Sequence, residues 1–285
     1  MSLLEITDVA VIGAGTMGSG IAQLAARAGY RTRLFDAAPG AAERGLARIA
    51  ESLARGVEKG RCTADERDAA LKNLTVAPTV EDAAKGAHLV VEAAPEDLAL
   101  KRELFGRLSA AASAEAVLAT NTSSLPITAI ASAAKNPERV IGMHFFNPPP
   151  VMKLLELVVG ERTSQLTVAA ARAVGARMGK ECVVVRDAPG FATSRLGLCI
   201  ALEAMRMVEE GVASAEEIDR AMELGYNHPM GPLKLTDHVG LDVRLAIAEH
   251  LCSELGERYR PPQILRRMVR AGKLGKKSGE GFFKY

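Results

Sequence analysis

Cysteine is scarce and scattered in this chain. Cys62, Cys182, Cys199 and Cys252 form no C-x-x-C pair, so neither a zinc site nor a dithiol motif has support, and no metal is expected. The four read as reduced, mostly buried thiols. No stretch approaches the roughly 18 consecutive apolar residues of a membrane span. The N-terminus shows no basic region followed by an apolar run, the mark of a secretory signal. No membrane partner is therefore expected. The expected compartment is cytoplasmic, and an organelle matrix is equally compatible. An excess of one charge is also missing. Lys and Arg number 36 against 34 Asp and Glu, a net +2 that does not suggest nucleic acid. The basic residues gather only from Arg266 to Lys277, which reads as a solvated face.

What is present is an ordinary globular composition, 48% apolar and 25% charged over 285 residues, a length that suits two domains. Val9 to Ile12 is a short apolar run ending at Gly13, the pattern of a buried strand. Met17, Ile21, Leu24, Ala25 and Ala28 then recur at helical spacing, Gly29 stops the helix, and residues 32–35 form a second strand closing at Asp36. The alternation continues: helix over 40–60, strand at 88–91, helix over 97–112, and strands at 116–119 and 140–144. Strands alternating with helices predict a doubly wound Rossmann-type parallel sheet, an α/β fold. Segments 153–159 and 182–185 still read as strands, but after Pro189-Gly190 the pattern is helical throughout. Two domains are expected, 1–186 and an all-α 187–285. In the second, Leu198, Leu202 and Met205 mark one apolar stripe and Leu196, Ile200 and Met207 another. A helix apolar on two sides needs cover on two sides, which points to a homodimer.

Gly13-Ala14-Gly15-Thr16-Met17-Gly18 is a G-x-G-x-x-G in its required place, after a strand and opening a helix. Gly13 permits the tight turn, Gly15 lets the backbone approach a pyrophosphate, and Gly18 allows close packing of helix on strand. The helix start, at Thr16 and Met17, offers N–H groups to phosphate. A purely structural glycine turn is the plainer reading. Asp36 lies 18 residues beyond Gly18, where a carboxylate accepts from ribose hydroxyls. It repels a 2′-phosphate, and alanines follow at 37 and 38, so NAD is favoured over NADP. The plainer role for Asp36 is a cap or turn residue.

Hydride transfer from an alcohol needs a base, and histidine is the usual one near neutral pH. Of the five histidines, His144 closes the strand from Val140, at the end where open α/β sheets bind ligands. A merely satisfied strand-end histidine is the alternative. Glu156 sits among aliphatics in Leu154 to Val158, and an unpaired carboxylate there is costly. Pairing with His144 removes that cost, as would an arginine or backbone amides. Ser123, after another strand end with Asn121 and Thr122, can bond substrate oxygen or cofactor, or cap the helix from Pro126. Asn147 can hold the nicotinamide end or serve turn chemistry before proline. No tyrosine meets a lysine four residues on (Tyr30 meets Leu34, Tyr226 Met230, Tyr259 Gln263), which excludes the short-chain Tyr/Lys mechanism.

These motifs resemble the L-3-hydroxyacyl-CoA dehydrogenase family, most of all its short bacterial 3-hydroxybutyryl-CoA members. The matching stretches are VIGAGTMGSGIAQLAARAG, LVVEAAPEDLALKRELF, ATNTSSLPI, GMHFFNPPPVMKLLELV, DAPGFATSRL and GKLGKKSGEGFFKY, spanning residues 9–285. The resemblance implies an NAD-binding Rossmann domain, a helical dimerisation domain and an acyl-CoA substrate. It makes His144 the base and Glu156 its orienting partner, with Ser123 and Asn147 near substrate and nicotinamide. Glu96, Lys101 and Lys277 match NAD-contacting positions, Asn121 falls within the matched cofactor stretch, and Lys59 approximates a coenzyme A-contacting lysine. Read without the family, Glu96 and Lys101 form a solvent-facing helix pair. One departure stands out: the family's Pro-Gly-Phe-x-x-Asn-Arg-Leu has Ser194 in place of asparagine. Serine reaches less far and lacks the amide's two donors. A dehydrogenase of free hydroxy or sugar acids, and a non-catalytic NAD-binding structural protein, are the rival readings.

Overall fold

The computed structural model describes residues 5–285. They form two compact units, one ending at Asp187 and one running from Ala188 to Tyr285. In chain order the first unit contains β1 (Asp8–Ile12), α1 (Thr16–Arg27), β2 (Arg31–Phe35), α2 (Ala41–Glu58), α3 (Ala64–Lys72), β3 (Leu74–Val76), α4 (Val80–Ala84) and β4 (Leu89–Glu92). It continues with α5 (Leu98–Ala111), β5 (Val117–Thr120), α6 (Ile127–Ala131), β6 (Val140–Phe145), β7 (Leu154–Val159), α7 (Gln165–Arg177) and β8 (Glu181–Arg186). Together the strands make one sheet in the order β3-β2-β1-β4-β5-β6-β7-β8. Val9, Val11, Leu89, Val91, Val117 and Ala119 of its central strands are all fully buried, as strands covered by helices on both faces must be. The chain runs outward from β1 to β2 and β3, then returns to lay β4 on the other side of β1. That reversal opens a crevice at the carboxyl ends of β1 and β4, where sheets of this kind bind ligands.

The sheet is the expected Rossmann-type parallel one, with a single antiparallel pair. β7 runs antiparallel to β6, with His144 directly opposite Glu156. The link between them is a proline-rich loop of residues 146–153 without a helix, so the chain turns back beside the strand it has just left. α7 then carries it across to a parallel β8. The interval from 61 to 87 also holds α3, β3 and α4, which the apolar periodicity did not reveal. The start of α3 is legible all the same: Thr63 and Glu66 form a reciprocal capping box.

The second unit contains α8 (Thr193–Glu209), α9 (Ala215–Tyr226), α10 (Pro232–Val239), α11 (Leu241–Leu255) and α12 (Gln263–Arg270). Leu198, Leu202 and Met205 of α8 pack with Leu233, Leu241 and Leu251 in its core. Of the other stripe of α8, Leu196 is 66% and Ile200 40% exposed, whereas Met207 packs partly buried against the same core. The helical pattern ends in a small bridged loop, Gly275 against Glu280 and Glu280 against Lys284. The Asp237 carboxylate accepts from the backbone N–H groups of Phe282 and Phe283, each at 2.9 Å, and so folds the last residues onto α10. The cysteines differ from expectation: none is fully buried and Cys199 is exposed, because it lies on the open side of α8. Among the described residues no helix is long and apolar enough to cross a membrane.

Candidate active site

Gly13, Gly15, Thr16, Met17 and Asp36 line a crevice of about 940 Å³ in the first unit. Each glycine of the turn has its own constraint. Gly13 has φ +102°, and a Cβ there would stand 2.5 Å from the carbonyl oxygen of Ala93. A Cβ on Gly18 would stand 1.8 Å from the carbonyl oxygen of Gly13, so α1 meets β1 only because residue 18 has no side chain. A Cβ on Gly15 would meet nothing within 4 Å, so the fold leaves that position open. Gly15 also caps α1 without any side-chain bond, and the first turn has no acidic residue, a combination suited to an anion. Asp36 fills the turn role and also lines the crevice. Its Oδ2 accepts from the Ala14 N–H at 2.7 Å and its Oδ1 from the Ala38 N–H at 2.9 Å, which holds the carboxylate at the crevice wall. Arg107 also lines the crevice, tied to Glu81 at 2.9 Å.

His144 and Glu156 are brought together by the antiparallel pair. Directly opposed residues share a face of the sheet, and His144 Nδ1 lies 2.7 Å from Glu156 Oε2. The glutamate is fully buried and the histidine 8% exposed. A carboxylate only accepts, so Nδ1 carries the proton and Nε2 is the basic nitrogen. The Phe146 ring packs against the imidazole at 4.5 Å. Asn121 braces this strand end: its Oδ1 accepts from the Phe145 N–H at 2.9 Å.

Ser123 is tied to Glu96, whose Oε1 accepts from the Ser123 N–H at 2.9 Å, the Ser123 hydroxyl at 3.1 Å and the Thr122 hydroxyl at 2.6 Å. The cap of α6 comes from Asp187 instead, which accepts from Ile127 and Thr128 N–H. The solvent-facing Glu96–Lys101 pair is overturned. Lys101 is fully buried, with Nζ 2.6 Å from Glu92 Oε1 and 3.7 Å from Glu96 Oε2. Burying an ammonium is costly without a partner of opposite charge, and Glu92, which sequence reasoning missed, is that partner. The signal was legible: Glu92 closes an apolar strand as Asp36 and His144 close theirs.

Asn147 is exposed at the head of the proline-rich loop, joined to Pro148 by a cis peptide bond. Lys180 staples that loop, donating to the carbonyl oxygens of Pro149 at 2.5 Å and Met152 at 2.7 Å. Burial holds its ammonium pKa below the usual lysine value. Lys59 is exposed just beyond α2. Ser194 is half-buried in the first turn of α8, and Lys277 is ion-paired with Asp242 at 2.6 Å, both within the second unit. Among the described residues, no group of three or more His, Cys, Asp or Glu side chains is arranged to hold a metal.

Comparison with known proteins gives this geometry its context. Residues 8–188 match the profile described as 3-hydroxyacyl-CoA dehydrogenase, NAD binding domain, and residues 190–285 that of the 3-hydroxyacyl-CoA dehydrogenase C-terminal domain. A 3-hydroxybutyryl-CoA dehydrogenase of Mycobacterium tuberculosis is 46% identical over 283 residues, covering 98% of this chain and 99% of the relative. One from Clostridioides difficile is 43% identical over 278 residues, covering 97% and 99%. The crystal structure of (S)-3-hydroxybutyryl-CoA dehydrogenase from Ralstonia eutropha superposes with a TM-score of 0.95 at 41% identity, covering 99% of each chain. Both units are thus matched along nearly their whole length, and the chain belongs to the 3-hydroxyacyl-CoA dehydrogenase family, among relatives of the short bacterial type.

Proposed function

We propose that this protein catalyses the reversible NAD-dependent oxidation of the 3-hydroxyl of a 3-hydroxyacyl-CoA thioester, with 3-hydroxybutyryl-CoA its foremost substrate. The observation that carries the reading is the His144–Glu156 pair, 2.7 Å apart at the carboxyl end of a central sheet of a family member. The residues present fit a dinucleotide: the open backbone at Gly15, the uncapped start of α1 and the Asp36 carboxylate at the crevice wall supply its usual contacts. Bound NAD supplies the hydride acceptor. His144 Nε2 takes the hydroxyl proton, and Glu156 stabilises the resulting imidazolium. In the reverse direction the imidazolium returns its proton to the alkoxide forming at C3.

Ser123, held by Glu96, orients the substrate oxygen, and Asn147 serves the nicotinamide end. Lys277 serves the cofactor and Lys59 the coenzyme A portion. Ser194 bonds the thioester oxygen directly or through water, with a shorter reach than asparagine. The open Leu196–Ile200 stripe of α8 supports a homodimer through the second unit, and the cytoplasm is the proposed site of action. Leu196→Glu should convert that dimer to monomer in analytical ultracentrifugation; an unchanged sedimentation coefficient would refute the interface. The function is tested by following NADH absorbance with acetoacetyl-CoA, longer 3-ketoacyl-CoA compounds and free 3-keto acids, then with NADPH. Turnover of the thioesters with NADH is expected. Turnover of free acids in preference to thioesters, or binding of NADH with no turnover, would overturn the proposal.

A further inference from the structure

We infer that Glu92 is a positioning residue that sets the dinucleotide crevice and Ser123 through a buried charge relay, an inference that rests on the NAD-dependent reading above. Glu92 ends β4 at the reversal of strand order, in register with Ile12 on one side and Thr120 on the other. Its carboxylate is fully buried and accepts three bonds, all at 2.6 Å, from the Ala94 N–H, the Lys101 ammonium and the Thr120 hydroxyl. Lys101 also donates to the Ala94 carbonyl oxygen at 3.2 Å. Two routes lead from this centre to the site. The pinned segment carries Ala93, whose carbonyl oxygen is the wall against which Gly13 turns. Lys101 also stands 3.7 Å from Glu96, whose carboxylate holds Ser123 and Thr122.

Stability does not call for such a pair. A buried ion pair can often be replaced by apolar groups of similar volume without loss of stability. An apolar pair has no means of holding the half-exposed Glu96 from behind, and that is what the ammonium does. Glu92 holds the ammonium in line. Without it, Lys101 has Glu96 as its nearest carboxylate, and Glu96 turns inward and releases Ser123.

The test compares Glu92→Gln, Lys101→Met and the double variant with the wild-type protein, reading NADH affinity by fluorescence titration, kcat with acetoacetyl-CoA, and Tm. Glu92→Gln should weaken NADH binding by about tenfold or more, the effect of one charge-assisted bond, with kcat falling too. The double variant, neutral at both positions, should regain the wild-type Tm but not NADH affinity, because Glu96 still lacks its cation. Recovery of affinity together with Tm would make the pair merely structural and overturn the inference. Should Glu92→Gln not fold, Glu96→Gln, Lys101→Met and their combination serve: a relay makes their losses in affinity non-additive, and full additivity overturns it. Wild-type protein that binds no NADH would remove the dinucleotide reading itself. Equal binding by wild-type and Glu92→Gln proteins would remove the relay alone.

Discussion

Replacing Glu156 by glutamine keeps the side chain's length and removes its charge. The carboxylate is fully buried and its Oε2 is 2.7 Å from His144 Nδ1, so no water takes its place when the charge is lost. A hydrogen bond to a charged group contributes about 1.5–3 kcal/mol. The imidazolium forms as the substrate proton is taken, so most of that energy acts on the barrier. At about 1.4 kcal/mol per factor of ten, kcat should fall roughly 10- to 150-fold. His144→Gln removes the base itself and should lower kcat about 10²–10⁴-fold. Glu156 works only through His144, so the double variant should be no slower than His144→Gln alone. The assay is initial NADH consumption with acetoacetyl-CoA at saturating concentrations, with Tm recorded for each variant. Losses that multiply in the double variant would refute the dyad, since each residue would then act on its own. A His144→Gln enzyme of near-normal kcat would refute the assignment outright.

Two glycines of one motif should behave in opposite ways. Gly18→Ala places a Cβ 1.8 Å from the Gly13 carbonyl oxygen and should destabilise the fold by about 3 kcal/mol or more, seen in denaturant melts. Gly15→Ala meets open space and should keep Tm within about 2 °C while weakening NADH binding about tenfold; a wild-type affinity would refute phosphate approach there. Asp36→Ala removes the charge that opposes a 2′-phosphate, so the NADH to NADPH ratio of kcat/KM should fall about tenfold or more, and an unchanged ratio would refute the ribose assignment. Tyr285 supplies a pH prediction. Burial of its phenol, with the Asp237 carboxylate that its hydroxyl meets at 3.2 Å, pushes its pKa up to about 12 from 10. The unfolded chain loses that proton first, so this contribution to stability is whole below pH 10 and is lost as pH rises towards about 12. Because Tyr285 is 46% exposed, the effect should be modest, and it should vanish in Tyr285→Phe.

Much of the fold was legible because its signals are local. The glycine turn, the strand-ending Asp36 and His144, and the change to helical periodicity near Pro189-Gly190 each lie within a few residues of one another. The unanticipated elements of 61–87 are short, and their apolar pattern is weak: α3 buries Ala70 alone. The parallel sheet holds except at β7, whose reversed direction follows from a loop's path rather than from the composition of the strand. That same departure set Glu156 against His144, a pairing the sequence could suggest only from the cost of an unpaired carboxylate. Helical spacing by itself sets Lys101 beside Glu96 at the surface, and the burial of Lys101 shows that spacing is blind to depth.

By itself the sequence determined the strand–turn–helix that receives a dinucleotide, the histidine placed at a strand's end and the two-part organisation, because each is written in the spacing of neighbouring residues. Only tertiary structure decided which carboxylate meets His144, that Glu92 and Lys101 neutralise one another out of reach of water, and which residues of α8 stay uncovered. These depend on strand direction and burial, which bring together residues with no local bond between them.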